Sequence, residues 1–382
     1  GDGKVACREW QISLNGNFKE TPTIMKDAQI TLGDYNELRQ TNGEPFRLNV
    51  GNNSHFIVKY DDTLMQDILA HKADLNAIDE LQLLQDMRLL ADGGQASYAD
   101  IVPLLEQFAD SQSTIVNAAL YTVAGNLRKF TLPDTDEEAK LRQLYGKLSA
   151  KQATRLGWTA KAGESNDDQM TRPYVLSAAL FAKDADAVDA AHQLYVANED
   201  NLVALNATIR PIILANEMRQ FGDEALFDKF LTAYQKTSDG SFKTALRDAI
   251  TETKDAKLVK KTVAQFEKTD IVKPQDVRGW YVSLLENKDG EQAAWDWIRA
   301  DWAWLEEKVG GDMEFATFIT LTARVFKTPE RLAEFKAFFE PKLNTAGLTR
   351  EIQMDIKVIE GRVALIEAEK AKVNAAVAEA VK

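Results

Sequence analysis

A pattern of helix openings recurs through the second half of the chain. Each opening is an Asp or a Thr, and an aromatic residue follows eleven positions later. The segments are Asp184–Tyr195, Asp223–Tyr234, Asp255–Phe266 and Thr328–Phe339. Asp and Thr are favoured helix N-caps because their side-chain oxygens accept hydrogen bonds from the first free N–H groups of a helix. The pattern therefore predicts a series of helices that begin in the same way.

The spacing of these openings indicates how the helices are arranged. When "DGEQAAWDWIRADW" is counted as a looser member, the openings are roughly 32 to 39 residues apart, as in helical hairpins of the HEAT or armadillo kind. A hairpin cannot bury its apolar faces alone, so neighbouring hairpins stack. We therefore predict a HEAT/armadillo-like α-solenoid. An irregular all-helical domain whose helices have similar lengths is the alternative.

Four tryptophans lie close together in "EQAAWDWIRADWAWLEEK", residues 291–308. Wound as one helix at about 100° per residue, this segment has an apolar arc over about half of its circumference. Ile298 and Leu305 fall within that arc, as expected for a helix that packs on several neighbours. We interpret the tryptophans as packing between helical layers, and an exposed platform for a stacked ligand is the alternative. They are Trp295, Trp297, Trp302 and Trp304.

The first sixty or so residues follow a different period. Apolar and polar residues alternate, which is typical of strands with one buried face, and Gly/Asn turns separate the runs. We expect residues 1–61 to form a small antiparallel β-sandwich part, too small to be a complete sandwich. Residues 62–382 have a helical period and are predicted to form the helical domain, so the fold class is mainly α. The alternating runs are Trp10–Leu14, Ile30–Leu32, Phe46–Val50 and Phe56–Tyr60.

Other helix ends carry local signals. Thr135 with Glu138 three residues later predicts a capping box, and Thr328 before Pro329 predicts an N-cap followed by proline at the first helical position. From Ile352 to Val363 apolar residues recur at spacings of four and three, which predicts a long final helix. We expect the Ala/Glu/Lys-rich end of that helix to be frayed.

Composition limits the class of protein. Hydrophobic residues make up 45% of the chain and charged residues 27%, as in ordinary globular proteins. The net charge of −13 opposes binding to phosphate backbones, so no nucleic-acid partner is expected. No apolar run approaches the ~20 residues that span a bilayer, and the first residues do not resemble a secretory signal. With Cys7 as the single cysteine, these features favour a soluble protein of the cytoplasm without disulfides.

The sequence does not contain a recognisable catalytic or metal-binding motif. The three histidines, His55, His71 and His192, have none of the spacings of a zinc site, and no G-x-S-x-G or Walker A motif is present. We therefore predict no catalytic residue, no metal ligand and no cofactor in this chain.

Binding is the more promising function for a solenoid, because its concave surface usually holds a partner. Arginine can bind both oxygens of a carboxylate, and lysine supplies a compact charge. Basic residues of the helical part are therefore candidates for contacting a peptide carboxylate, and internal pairing of each is the alternative. The candidates are Arg172, Arg210, Arg247, Lys254 and Arg278.

Several segments, in their order along the chain, resemble one known family. They include "REWQISL", "PFRLNVGNNSHFIVKYD", "LQLLQDMRLLADGGQASYADIVPLL", "KPQDVRGWYVSLLENKDGEQAAWDWIRADWAWL" and "FKTPERLAEFKAFFEPKL". Each motif is weak alone, and their collinear order makes the match specific. The chain resembles the C-terminal region of zinc aminopeptidases of the aminopeptidase N family, with similarity to members from lactic-acid bacteria.

The resemblance implies a late β-sandwich followed by a HEAT-like superhelical domain that encloses a peptide chamber and gates access to it. The zinc-binding H-E-x-x-H and the G-A-M-E-N motif of that family are absent here. The resemblance therefore implies that zinc belongs to an upstream catalytic domain of the same polypeptide, that peptides are the substrates, and that this chain is inactive alone. A free-standing helical-repeat scaffold that binds proteins is the alternative function.

Overall fold

The computed structural model describes residues 11–309 and 314–382, with the side chain of Glu314 not described. The described chain is mainly helical, which confirms the predicted class. It forms two compact units, Gly1–Asn126 and Leu127–Lys382. Cys7 and Trp10 lie outside the described residues. The division into domains at residue 61 stays a prediction, as does the HEAT or armadillo character of the helical part.

The first unit has a short two-stranded sheet and five α-helices among its described residues. Ile12 pairs with Met25, and Ser13 pairs with Ile24, in antiparallel register. Two 3₁₀ segments connect helices of this unit: Lys72–Asp74 between α2 and α3, and Val102–Phe108 between α4 and α5. The regular elements are β1 Ile12–Ser13, β2 Ile24–Met25, α1 Tyr35–Asn42, α2 Asp62–Ala70, α3 Ala77–Asp92, α4 Tyr98–Ile101 and α5 Thr114–Asn126.

Most of the predicted strands are wrong. Residues 30–32, 46–50 and 56–60 contain no strand, and α1 lies in a segment for which no helix was predicted. Asn49 and Asn52 adopt left-handed backbone angles, with φ of 54° and 56°, which interrupt an extended hairpin. Side chains satisfy the backbone instead of a partner strand. For example, Asn17 accepts a hydrogen bond from the Arg47 N–H at 2.7 Å.

The second unit consists of helices joined by short connections. Contacts link α6 with α7, α8 with α9, α10 with α11, α13 with α14, and α16 with α18. Its 3₁₀ segments are Leu127–Phe130, Leu202–Ala204, Pro274–Asp276 and Glu340–Lys342. Its α-helices are α6 Asp136–Leu156, α7 Asn166–Phe181, α8 Ala185–Asn198, α9 Arg210–Phe221, α10 Glu224–Lys236, α11 Gly240–Ile250, α12 Ala256–Val263, α13 Val277–Glu286, α14 Glu291–Ala300, α15 Trp302–Val309, α16 Glu314–Val325, α17 Pro329–Phe339 and α18 Thr349–Ala380.

The recurrent helix openings are N-caps, as predicted. In each case the side chain of the Asp or Thr accepts a hydrogen bond from a backbone N–H of the first turn, which compensates for a missing intrahelical partner. The aromatic residue eleven positions later is buried in all four segments, so the pattern encodes both a helix start and a core contact. The caps are Asp184, Asp223, Asp255 and Thr328, and the buried aromatics are Tyr195, Tyr234, Phe266 and Phe339.

The tryptophan segment forms two helices and not the single helix that was predicted. Asp301, with φ −112° and ψ 25°, separates α14 from α15. The break turns Trp302 towards Phe339, with ring centroids 5.4 Å apart, while Trp297 contacts Phe266 at 5.0 Å. Trp295 is also fully buried, and Trp304 is half-buried against the same core. The interpretation as packing residues is confirmed.

The final helix is longer and better anchored than predicted. Helix α18 continues to Ala380, and Val373 and Val377 of the expected frayed end are buried. Its C-terminal half packs on α6 and on the 3₁₀ segment Leu127–Phe130, which precedes α6. The side-chain amide of Asn374 donates to the carbonyl of Phe130 at 2.9 Å, and Lys147 donates to the carbonyl of Ala380 at 2.7 Å. The last helix thus joins the end of the second unit to its beginning.

Candidate functional site

A concavity of about 660 Å³ opens among the ends of helices in the second unit. Cavities of about 300–1,000 Å³ are of the size that holds small ligands. We call this concavity the bowl. The residues that matter for its chemistry are Arg128, Arg142, Phe181, Arg219, Glu252 and Lys254.

Two arginines and an aromatic ring form one wall of the bowl. The guanidinium carbons of Arg128 and Arg142 lie 3.7 and 4.2 Å from the centroid of the Phe181 ring. Cations over an aromatic face are attracted by its quadrupole. Arg142 also pairs with Glu138 at 3.1 Å, and Arg128 donates to the hydroxyl of Tyr145 at 3.2 Å. The wall therefore holds the Arg128 guanidinium and the Arg142–Glu138 ion pair, with both arginines stacked on the Phe181 ring.

A buried asparagine organises another part of the lining. Asn287 follows the end of α13 and donates from its side-chain nitrogen to the carbonyls of Thr251 and Thr253, at 2.8 and 2.7 Å. Its side-chain oxygen accepts a hydrogen bond from Arg219 at 3.1 Å. The guanidinium of Arg219 also pairs with Asp289 at 3.0 Å. These contacts fix the backbone on both sides of Glu252.

The carboxyl group of Glu252 belongs to the same lining. It is half-buried and, within the described residues, accepts no hydrogen bond and forms no ion pair. Burial raises the pKa of Glu252, and the positive charges of Arg219 and Arg128 act in the opposite direction. Asp248 raises the pKa of Glu252 as well. The protein thus compensates the charged form of this carboxyl group incompletely.

A second carboxyl group of the lining also has a raised pKa. Glu286 ends α13, and burial raises its pKa, followed by the negative charge of Asp248. At another point of the lining, Lys288 donates to Asp134 at 2.8 Å, and this hydrogen bond lowers the pKa of Asp134. The bowl therefore combines satisfied ion pairs with a pair of carboxyl groups whose charged forms are disfavoured.

Lys254 is the predicted peptide-binding residue that lines the bowl. It is exposed, and no hydrogen bond or ion pair engages its side chain within the described part of the chain. An uncommitted ammonium group at the edge of a cavity is suited to contact an incoming anion. The other four predicted residues do not line this cavity.

Arg172 and Arg210 are buried by internal contacts. Arg172 pairs with Glu164 and donates to the carbonyls of Leu156 and Gly157, each at 3.0 Å. Arg210 opens α9, donates to the carbonyl of Val203 at 2.9 Å, and lies over the ring of Phe242. These contacts hold neighbouring segments of the second unit together.

Arg247 and Arg278 are half-buried. Arg247 pairs with Asp248 at 3.0 Å, and Arg278 donates to the hydroxyl of Thr317 at 3.3 Å. The structure thus does not bring the five predicted residues into one cluster. Their role in peptide binding stays a prediction, which the cavity supports for Lys254 alone.

Sequence reasoning missed Arg128, Arg142 and Arg219. Arg142 lies in a helix with many other charged residues, and Arg128 lies in a 3₁₀ segment just before it. Neither position has a pattern that reveals which basic residue meets an aromatic ring from the following helix. Arg219 near the end of α9 follows the general preference for cations there. That preference explains the helix and does not indicate a site.

Comparison with known proteins decides the family. Residues 46–361 match the model of the ERAP1-like C-terminal domain. The chain belongs to this family. It is 58% identical over 381 residues to aminopeptidase N of Lactobacillus helveticus and 56% identical over 380 residues to aminopeptidase N of Lactobacillus delbrueckii subsp. lactis, covering 100% of this chain in each case. Aminopeptidase N of Lactococcus lactis subsp. cremoris (strain MG1363) is 40% identical over 99% of the chain.

The chain spans 45% of the length of each of these three relatives. The resemblance to the C-terminal region of the aminopeptidase N family, including members from lactic-acid bacteria, is confirmed. The ERAP1-like domain covers most of the helical part and the irregular segment before it.

The described residues do not offer a zinc site. In residues 11–309 and 314–382, no group of three or more His, Cys, Asp or Glu side chains is arranged to hold a metal ion. His71, which follows α2, contacts Asp67 of that helix, and His192 contacts Glu217 at 2.8 Å. In the same described residues, no helix combines the length and the apolar composition that crossing a membrane requires.

Proposed function

We propose that this chain is the non-catalytic C-terminal portion of a zinc aminopeptidase that removes N-terminal residues from peptides. The bowl carries the proposal, because it is a concavity of about 660 Å³ whose lining includes several cations, in a chain related to aminopeptidase N. The partners are then an upstream catalytic domain of the same polypeptide, which holds the zinc, and the peptide substrate. A cytoplasmic location is part of the same proposal.

In this proposal the bowl holds the part of a peptide that lies away from the bond to be cleaved. Lys254 contacts the terminal carboxylate, since its ammonium is exposed and uncommitted. The stacked Arg128 adds positive charge at the wall. Binding energy from remote parts of a substrate helps to orient the reacting end. The chain would thus enclose the peptide chamber and, by moving against the catalytic domain, gate access to it.

A binding measurement with this chain tests the bowl. Fluorescein-labelled decapeptides of Gly, Ser and Ala, with a free or an amidated C-terminus, are titrated with the chain, and anisotropy is recorded. We expect the free carboxylate to improve binding by about two- to fivefold, the strength of an exposed ion pair. Lys254→Ala should remove this advantage. Lys257→Ala, which removes an exposed lysine outside the lining, is the matched control.

A second experiment tests the enzymatic context. The chain is mixed with the separately purified upstream catalytic part, and aminopeptidase activity is measured on peptides of several lengths. A gain in activity or a narrower length preference supports the proposal. If the two parts do not associate, a free-standing helical-repeat scaffold becomes the better account. Hydrolysis of an aminoacyl reporter by this chain alone contradicts a non-catalytic role.

A further inference from the structure

The carboxyl group of Glu252 is a charge in the lining of the bowl that no described side chain binds. Three arginines of this region are engaged elsewhere. Arg219 pairs with Asp289, Arg247 pairs with Asp248, and Arg128 is stacked on Phe181. Within the described residues no donor reaches the carboxyl oxygens of Glu252. An anion in this situation has lost part of its hydration without gaining a partner.

The backbone around Glu252 is held rigidly in spite of the free side chain. Asn287 binds the carbonyls of the residues before and after it, and Arg219 donates to the carbonyl of Glu252 itself at 3.4 Å. Thr251, which follows the last residue of α11, also contacts the hydroxyl of Ser283 at 2.5 Å. A group on a fixed backbone keeps its place when a ligand arrives, which reduces the entropy lost on binding.

The chemistry of such a group selects its ligand. A half-buried carboxylate that faces a cavity gains most from an ammonium or guanidinium group that can donate hydrogen bonds to it. Glu286 of the same lining adds negative charge, whereas Arg128 and Lys254 attract the anionic parts of a ligand. A peptide that carries both a basic side chain and a carboxylate matches this distribution of charges.

We propose that Glu252 is a specificity-determining residue, which makes the bowl prefer peptides with a Lys or Arg side chain. This inference rests on the proposed peptide-binding function and names the substrate class of that same cavity. The basic side chain donates to the carboxylate of Glu252, while Lys254 and the arginine wall receive the carboxylate end of the peptide. The affinity for a peptide then depends on a Lys or Arg residue that lies away from the bond to be cleaved.

The test uses decapeptides of Gly, Ser and Ala that differ at one position. This position carries either lysine or norleucine, whose side chain has a similar length without the charge. Separate peptides place the variable residue at each position of the decapeptide in turn. Binding of the labelled peptides to the chain is measured by anisotropy. At the matching position we expect the lysine peptide to bind about tenfold more tightly, as for a hydrogen bond to a charged group.

Variants assign the preference to a residue. In Glu252→Gln, lysine and norleucine peptides should bind within about twofold of each other, with the norleucine affinity unchanged. Glu252→Lys should favour a peptide with glutamate at that position. Glu307→Gln, which removes an exposed carboxylate of α15 outside the lining, should retain the full preference. Thermal unfolding of each variant checks that the fold is intact.

The possible outcomes distinguish a failure of this inference from a failure of the proposed peptide-binding function. A lysine preference that disappears in Glu252→Gln and persists in Glu307→Gln supports the inference. Equal binding of all peptides by the unmodified chain overturns it and leaves peptide binding in place. A preference that survives in Glu252→Gln also overturns it. Absence of binding by every peptide, at concentrations up to the millimolar range, overturns the proposed function and this inference together.

Discussion

The side-chain nitrogen of Asn287 lies 2.7 Å from the carbonyl oxygen of Thr253, across a turn that separates two helices of the second unit. The same nitrogen binds the carbonyl of Thr251 at 2.8 Å, and all three residues are buried. One amide group thus satisfies the backbone at the end of α11 and connects it to the end of α13. The residue between the two carbonyls is Glu252, so a structural contact also positions the group that we assign to ligand selection.

Asn287→Ala is expected to destabilise the chain by about 2–4 kcal/mol, because it leaves two buried carbonyl groups without donors. It should also weaken the preference for lysine peptides by releasing the backbone of Glu252. Urea denaturation gives the loss of stability, and peptide titration gives the preference. Asn198→Ala is the control, since Asn198 makes a local hydrogen bond to the carbonyl of Leu194 on its own helix. A preference that remains intact in folded Asn287→Ala would contradict the positioning role.

From the pKa of Glu267 we predict how the stability of the chain depends on pH. Burial, together with the hydrogen bond and repulsion from Asp301, raises the pKa of Glu267 from an ordinary 4.5 to about 7. A raised pKa in the folded state means that the folded chain retains a proton which the unfolded chain releases. The contribution to stability is therefore fully present below about pH 4.5 and is lost as the pH rises to about 7. Trp297 donates to the same carboxyl group at 3.1 Å, and a glutamine could still accept that bond.

In Glu267→Gln this part of the pH dependence should disappear, so the variant becomes more stable than the unmodified chain at pH 8 and loses less stability between pH 5 and pH 7. Thermal unfolding at several pH values measures the effect. Glu307→Gln again serves as the control, because Glu307 is exposed on α15. Parallel pH profiles of Glu267→Gln and the unmodified chain would show that Glu267 does not retain its proton.

The sequence predicted the parts of the fold that depend on local signals. Asp184 and Thr328 could be recognised as caps because an N-cap acts on its own first turn. The strand predictions at 46–50 and 56–60 were wrong because alternation alone does not show whether a partner strand exists. In the structure, Asn17 supplies hydrogen bonds to residues 45 and 47 that a strand would otherwise provide.

The candidate site was harder to predict because it is made by distant residues. Lys254 was predicted as one of several basic residues of the helical part. Arg128 acquires its place only when Phe181, 53 positions later in the chain (181 − 128), stacks against it. The backbone of Glu252 is fixed because Asn287, a residue distant in the chain, binds the carbonyls on both sides of it. No periodicity in a single sequence encodes these pairings, since each depends on how the helices of the second unit are packed.

The tryptophan cluster gives a further test of packing. Trp302 is buried against Phe315, Phe338 and Phe339, with ring centroids 4.7 to 5.6 Å apart. Trp302→Ala should therefore cost about 3–5 kcal/mol of folding free energy, the range for a large aromatic removed from a core. Trp304→Ala is the matched comparison, because Trp304 is half-buried on the same helix and should cost clearly less. Denaturant midpoints measure both. Equal midpoints for the two variants would mean that the break at Asp301 does not direct Trp302 into the core.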